Sequence, residues 1–324
     1  MTADRATVAV IIVNWNAGDW LRRVLAGLSR QTLRDFSVVL VDNASSDDSM
    51  DLAREYLSGV TVLPQSHNLG FAAANNLAAR RADCEWIALL NPDAIPEPEW
   101  LERLMAAAAC NPGFSFFGSR QLMAATPDRL DGVGDAYHVS GLAWRLGYGQ
   151  ADARSHANAD PVEIFSPCAA AGLYKRAAFM QAGGFDERYF CYFEDVDLGF
   201  RLRLAGHRAL YVPDAVVHHA GSVTSGHRSA FSLYHGQRNL VWTFVKNMPA
   251  NLLWRYLPLH ILMNLAMIVR YALRGQGLTI LKAKADALRG LSGMLQSRRT
   301  IQSQRVITSG ELLRVMRRGW PTRR

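Results

Sequence analysis

With 324 residues, 49% of them hydrophobic and 20% charged, the chain can bury a large core and is not a disordered protein. Cys84, Cys110, Cys168 and Cys191 stand far apart, with no CxxC pairing and no zinc-finger spacing, which argues against a disulfide framework and predicts reduced thiols in a cytosolic setting. The net charge of +8 hides an asymmetry: residues 1–250 hold 22 Lys and Arg against 26 Asp and Glu (−4), and residues 251–324 hold 14 against 2 (+12).

Residues 1–5 lack a signal-peptide layout and lead into an apolar run over 8–13, the pattern of a strand buried on both faces. Trp20, Leu21, Val24, Leu25 and Leu28 have helical spacing. A strand over 37–41 follows, then Asn43 to Ser49 offer several N-caps for a helix reaching Leu57. Residues 60–63 form a third strand, Asn68-Leu69-Gly70-Phe71 turns into an Ala-rich helix ending at 79, and 86–90 is a fourth strand. A helix over 98–109 has Pro and acids at its start. This alternation predicts an α/β fold with a parallel sheet and right-handed crossovers.

The rhythm breaks after Asn111-Pro112-Gly113. Residues 114–165 read as short strands and Gly-rich loops that cover or line a site. A helix begins near Arg176 and ends at Gly183-Gly184, and another spans 194–205 with Gly206 as its C-cap. Short strands over 209–212 and 215–217 lead to His218-His219, and a helix over 229–246 ends before Met248-Pro249-Ala250.

Carboxylates stand where these strands end, the edge at which open α/β sheets bind ligands. Asp42 can accept a hydrogen bond from a base or a ribose hydroxyl, but it also reads as a turn or N-cap residue. Pro92 aims Asp93 out of the sheet edge, where a carboxylate suits a divalent cation that bridges phosphates. Asp93 is equally readable as a turn residue. Glu194, Asp195 and Asp197 are three acids within four residues, flanked by Tyr189, Phe190, Tyr192 and Phe193. Such a cluster either complements a helix N-terminus or contains a general base of raised pKa. Strand alternation sends one of His218 and His219 to each face, so at most one enters a cleft. There is no GxGxxG after a strand and no GxxxxGK[ST], so no dinucleotide fingerprint or P-loop is available.

In this order the motifs resemble the family 2 inverting glycosyltransferases of GT-A fold, most closely their rhamnosyltransferase-like branch. The stretches that carry the resemblance are Val10-Ile11-Ile12-Val13-Asn14-Trp15-Asn16, Val41-Asp42-Asn43-Ala44-Ser45-Ser46-Asp47 and Asn68-Leu69-Gly70-Phe71-Ala72-Ala73-Ala74-Asn75-Asn76. They continue in Leu90-Asn91-Pro92-Asp93, Gly183-Gly184-Phe185-Asp186-Glu187, Phe193-Glu194-Asp195-Val196-Asp197-Leu198 and His218-His219-Ala220-Gly221-Ser222, spanning about residues 8–240. The resemblance implies a Rossmann-like, mostly parallel sheet flanked by helices; the break at Met248-Pro249-Ala250 and the charge of the tail set its bounds at 1–248, with a helical basic extension over 249–324. It implies that Asn14, Asp42, Asn43, Asn68, Gly70, Asn75 and Asn91 form the nucleotide-sugar pocket. Asp93 and His219 would hold Mg²⁺ or Mn²⁺, Asp195 would be the catalytic base, and Glu194 and Asp197 are acceptor-side candidates. Asn91 stands where the family often has the first Asp of Asp-x-Asp. The expected activity is transfer from a nucleoside diphosphate sugar, rhamnose by the branch, to a glycan or lipid-linked acceptor. The alternative is a non-catalytic sugar-nucleotide or glycan binder of the same fold.

In the tail, only 14 uncharged residues separate Arg255 from Arg270, and Pro258, His260 and Asn264 interrupt them. A span needs about 20 apolar residues. The expectation is an interfacial segment with Trp254, Tyr256 and Tyr271 at its flanks, drawn to an anionic membrane surface by the basic residues that follow, on the cytoplasmic side. Packing on the body or on a second copy is the bland alternative. Nucleic acid is disfavoured, because phosphate contact needs no apolar belt.

Overall fold

The computed structural model describes residues 6–152, 160–221 and 229–319; residues 1–5 and Ser222 of the last motif lie outside them. The strands are β1 (Val8–Asn14), β2 (Phe36–Asp42), β3 (Val60–Pro64), β4 (Trp86–Leu90), β5 (Ala94–Pro96), β6 (Phe116–Met123), β7 (Thr126–Gly132), β8 (Asp135–Tyr137), β9 (Ala143–Arg145), β10 (Val162–Ile164), β11 (Ala171–Lys175) and β12 (Ala209–His219). The helices are α1 (Asp19–Ser29), α2 (Ser49–Leu52), α3 (Gly70–Arg81), α4 (Trp100–Cys110), α5 (Arg176–Gln181), α6 (Glu194–Leu204), α7 (Ala230–Asn247), α8 (Ala250–Ala272), α9 (Gly277–Arg289), α10 (Leu291–Ser303) and α11 (Ser309–Val315).

The main sheet runs β10-β12-β6-β11-β4-β1-β2-β3. Its β4-β1-β2-β3 half is parallel. The other half is mixed, because β11 returns antiparallel between β4 and β6 while β12 runs parallel to β6. All of β1 is buried, and its alternate residues enter two cores. Val8, Val10 and Ile12 pack with α1 and α4 through Leu21, Val24, Trp100 and Leu104. Ala9, Ile11 and Val13 face Ala72, Ala74 and Ala78 of α3 and Phe179 of α5. Continuous apolar runs are what a strand covered by helices on both faces requires.

Two elements differ from their sequence reading. The helix expected to reach Leu57 stops at Leu52 and resumes as a 3₁₀ turn, Arg54–Tyr56. The two short strands expected before His218 are one strand, β12, whose register shifts between Val212 and Val216. Pro213 sits in that irregularity, where a missing ladder donor does little harm.

The C-terminal region packs on the body. Met248, Leu252, Leu312 and Met316 share a buried cluster with Tyr137, Phe165 and Phe200. Trp242 Nε1 of α7 donates to the Ala287 carbonyl of α9 at 2.9 Å. The expectation that the apolar segment is too interrupted is corrected by α8, which runs 23 residues through Arg255, Pro258 and Arg270. Its polar positions are used inward: His260 stacks on Phe244 with ring centroids 3.9 Å apart and meets the Ser140 carbonyl at 2.7 Å. Among the described residues α8 is long and apolar enough to cross a membrane by length and composition, and little of it is buried.

A buried ion network ties α7 to α6. Lys246, 1% exposed, lies 2.7 Å from Asp186 and 2.8 Å from Asp197. Asp197 also accepts from Arg201, Tyr189 and Asn247. Removing one partner of a buried pair leaves an uncompensated charge, so Lys246→Met should cost about 3–5 kcal/mol of unfolding free energy. Urea denaturation measures it, and a loss below about 1 kcal/mol would contradict this role.

Candidate active site

The strand order turns at β1, since β2 lies on one side and β4 on the other, and α/β sheets bind ligands beyond such a switch point. Asn14 and Asp42 end adjacent strands in register. Asn14 Nδ2 donates to Asp42 Oδ1 at 3.3 Å and to the hydroxyls of Ser45 and Ser49 at 3.0 and 2.9 Å. The half-buried Asp42 carboxylate is thus oriented at the sheet edge. Asn43 and Asn68 shape the loop before α3: Asn43 Nδ2 donates to Asn68 Oδ1 at 2.8 Å, and their oxygens accept from the Leu69 and Gly70 N–H groups. Gly70 has φ +80°, and a Cβ there would lie 2.5 Å from the Phe190 ring, so both the turn and the aromatic contact demand glycine.

Asn75 lies on the inner face of α3. It is buried, and its Nδ2 donates to Phe71 O one turn earlier on its own helix. The neighbouring Asn76 makes the long-range bonds, to Phe185 N, Phe185 O and Glu187.

β5 runs antiparallel to the end of β12, with Ala94 opposite His219. This pairing sets Asp93 beside His219, with Oδ1 3.3 Å from Nε2. His218 faces the other way and meets Glu97 at 3.0 Å. His219 Nδ1 bonds Asp131 Oδ2 at 2.7 Å, and the same oxygen pairs with Arg145. Burial opposes protonation of His219, but Asp131 and Asp93 outweigh it and push its pKa up to about 9. Burial would raise Asp131, yet His219 and Arg145 hold it below its ordinary value. Asn91 Nδ2 lies 3.4 Å from His219 Nε2, while its Oδ1 is buried without a hydrogen-bond partner. An imidazole nitrogen and a carboxylate 3.3 Å apart, with the Asn91 amide beside them, are donor types that fit a divalent cation once His219 gives up its proton, with Asp131 as the outer carboxylate that fixes the ring.

Asp195 opens α6 opposite a strained approach. Phe190, Tyr192 and Phe193 have φ of 66°, 65° and 68°, uncommon for bulky residues. The buried Asn239 of α7 holds this turn by donating to the carbonyls of Tyr189, Cys191 and Tyr192 at 3.1, 3.0 and 2.7 Å. Asp195 accepts from Ala169 N at 3.1 Å and Val196 N at 2.8 Å. Burial raises its pKa, against those N–H bonds. Its carboxylate, that of Asp135 and Cys168 Sγ lie within 4.8 Å of one another. Asp135 is pushed up to about 8, first by burial and then by the charge of Asp195. Cys168 is pushed up to about 12, mainly by burial. Arg145, opposite Asp135 in the β8–β9 pair, carries a positive charge felt by Asp131, Asp135 and Asp195.

Of the acceptor-side candidates, Glu194 is buried with Oε2 unpartnered and its pKa raised by burial and by Asp195. Asp197 is fully buried in the Lys246 network, and its carboxylate is engaged there. Sequence reasoning missed Asp131, Asp135, Arg145 and Asn239. The available signal was Asp131-Gly132-Val133-Gly134-Asp135, two acids around a glycine pair inside the segment expected to line the site.

The model of "Glycosyl transferase family 2" matches residues 9–122. The N-acetylglucosaminyl-diphospho-decaprenol L-rhamnosyltransferase of Mycobacterium tuberculosis is 34% identical over 240 residues, covering 66% of this chain and 76% of the relative. This chain belongs to glycosyl transferase family 2. It is a rhamnosyltransferase-like glycosyltransferase. The O-antigen chain rhamnosyltransferase RfbN of Salmonella typhimurium is 26% identical over 232 residues, 70% of either chain. In fold the chain resembles the mannosyltransferase PcManGT from Pyrobaculum calidifontis in complex with GDP-Man and Mn²⁺ (TM-score 0.57, 18% identity, 93% of this chain and 84% of that one). It also resembles GalNAc-T7 with UDP, GalNAc and Mn²⁺ (TM-score 0.60, 17% identity, 75% and 48%). The sheet with its flanking helices is a GT-A fold with a C-terminal helical region.

Proposed function

We propose that this glycosyltransferase moves a sugar, rhamnose by the branch of its relatives, from a nucleoside diphosphate donor to a glycan or lipid-linked acceptor by single displacement with inversion. Its setting is cell-envelope polysaccharide synthesis at the cytoplasmic membrane face. The observation that carries the reading is the pair of stations around Arg145: the Asp93–His219–Asp131 chain on one side, the half-buried Asp195 with the buried Asp135 on the other.

Asp42, oriented by Asn14, accepts from the nucleoside, and the Asn43–Asn68 pair holds the loop that closes on it. Asp195 takes the acceptor proton as the hydroxyl attacks the anomeric carbon, a role its raised pKa suits. Asp93, His219 and Asn91 would hold Mg²⁺ or Mn²⁺, which when bound offsets the charge that develops on the leaving diphosphate. Asp131 keeps the His219 ring aimed with Nε2 toward Asp93. One base on the acceptor side and no second carboxylate assigned to attack the sugar give one displacement.

The names of the relatives support rhamnose and, for the mycobacterial one, a lipid-linked acceptor. The donor is tested by thermal stabilisation and hydrolysis across nucleotide sugars with and without Mn²⁺. dTDP-rhamnose should give the largest metal-dependent effect. Stabilisation by no nucleotide sugar would contradict the reading.

A further inference from the structure

At the start of α8 a surface cavity of about 540 Å³ is lined by Ala250, Asn251, Arg298, Arg299, Gln302 and Arg305. Three arginines from α10 and the turn after it converge there. Arg298 spends one nitrogen on the carbonyls of Val245 and Met248, and Arg305 reaches the Ser309 hydroxyl at 3.4 Å. Among the described residues none of the three forms an ion pair with a carboxylate. Burial and the charge of Arg305 hold the Arg298 guanidinium below its ordinary value, the mark of cations crowded without a counter-charge. The cavity also abuts the first turn of α8, which has no side-chain cap.

An apolar stripe begins one turn away. Trp254, Ile261, Leu262, Leu265, Val269 and Leu273 recur at helical spacing and are exposed, Trp254 at 71% and Leu273 at 84%. The opposite side of α8 is pinned to the body by Leu252 and His260. One helix therefore presents an anion site at its start and an apolar strip along its length.

We infer that this surface docks on an anionic phospholipid, with the lipid phosphate in the Arg298–Arg299–Arg305 cavity and the acyl region against the α8 stripe. Guanidinium groups give charge-assisted, bidentate bonds to phosphate. Charge complementarity favours an anionic partner over tail-on-tail packing of a second copy, because residues 251–324 carry 14 basic residues against Asp286 and Glu311. A free phosphate would leave the stripe unexplained. The proposal takes its choice of occupant from the membrane-facing reading above, and its test reads vesicle binding rather than transfer, so either can fail alone.

The test is sedimentation of the full chain with phosphatidylcholine vesicles, with and without phosphatidylglycerol. Wild type should bind the anionic vesicles only, and added salt should weaken binding. Arg299→Gln with Arg305→Gln should lower partitioning on the order of tenfold or more. Leu262→Glu with Leu265→Glu should lower it comparably while leaving glycerol phosphate binding, read by NMR titration, unchanged. Donor hydrolysis should stay at the wild-type level in both, which verifies folding. Unchanged partitioning of the arginine variant would overturn the proposal. So would equal binding to neutral vesicles, or a stripe variant that binds vesicles as wild type does while glycerol phosphate fills the cavity.

Discussion

Asp195→Asn should keep donor affinity and lower turnover by about 10²–10⁴-fold, the usual contribution of a positioned general base. The amide keeps the shape, but its single oxygen can accept from only one of the Ala169 and Val196 N–H groups, which in the wild type bond different carboxylate oxygens, so circular dichroism and donor affinity should confirm that the start of α6 holds. It cannot take the acceptor's proton. In the wild type the acid limb of kcat/KM should lie above the ordinary carboxylate range, because burial raises Asp195. Asp195 and Asp135 titrate as a pair, so the limb belongs to both. Single-turnover kinetics at saturating donor, with donor affinity by calorimetry, checks this. Near-wild-type turnover would move the role to another group, with Glu194 next in place.

The second large effect concerns Asp93. It is buried against His219, and its loss removes the carboxylate that, among the described residues, faces Nε2. Asp93→Ala should reduce the metal-dependent affinity for a nucleoside diphosphate by more than about 100-fold, beyond the 10–100-fold typical of an outer partner. Asp131→Asn, acting through His219, should fall inside that range. Titration of dTDP with and without Mn²⁺ measures both, and Asp93→Asn controls for packing. Equal metal-dependent affinity in Asp93→Ala and wild type would remove Asp93 from the site.

The parallel half of the fold was legible because β1, β2 and β4 are continuous apolar runs that stop at Asn14, Asp42 and Asn91, a local pattern. β5 was not, since three residues carry no periodicity; its pairing with β12 is what brings Asp93 to His219. Asp131, Asp135 and Arg145 lie on short strands whose partners are set by tertiary pairing, so no spacing announced them. The surroundings of Asp197 were not legible either: two positions from Asp195 on a helix, it faces another direction, into the core. The tail's length was misjudged because Pro258, His260 and Asn264 read as interruptions. In the fold His260 faces Phe244 and Asn264 donates to the His260 carbonyl of the same helix.

The central claim is a single displacement with a base on one side and the leaving diphosphate on the other. It is tested most directly by the anomeric configuration of the product. With dTDP-β-L-rhamnose, Mn²⁺ and a lipid-linked saccharide acceptor, NMR of the new linkage should show α-L-rhamnose, and chelation of the metal should stop its formation. A β-linked product, or transfer that proceeds undiminished without metal, would contradict the account.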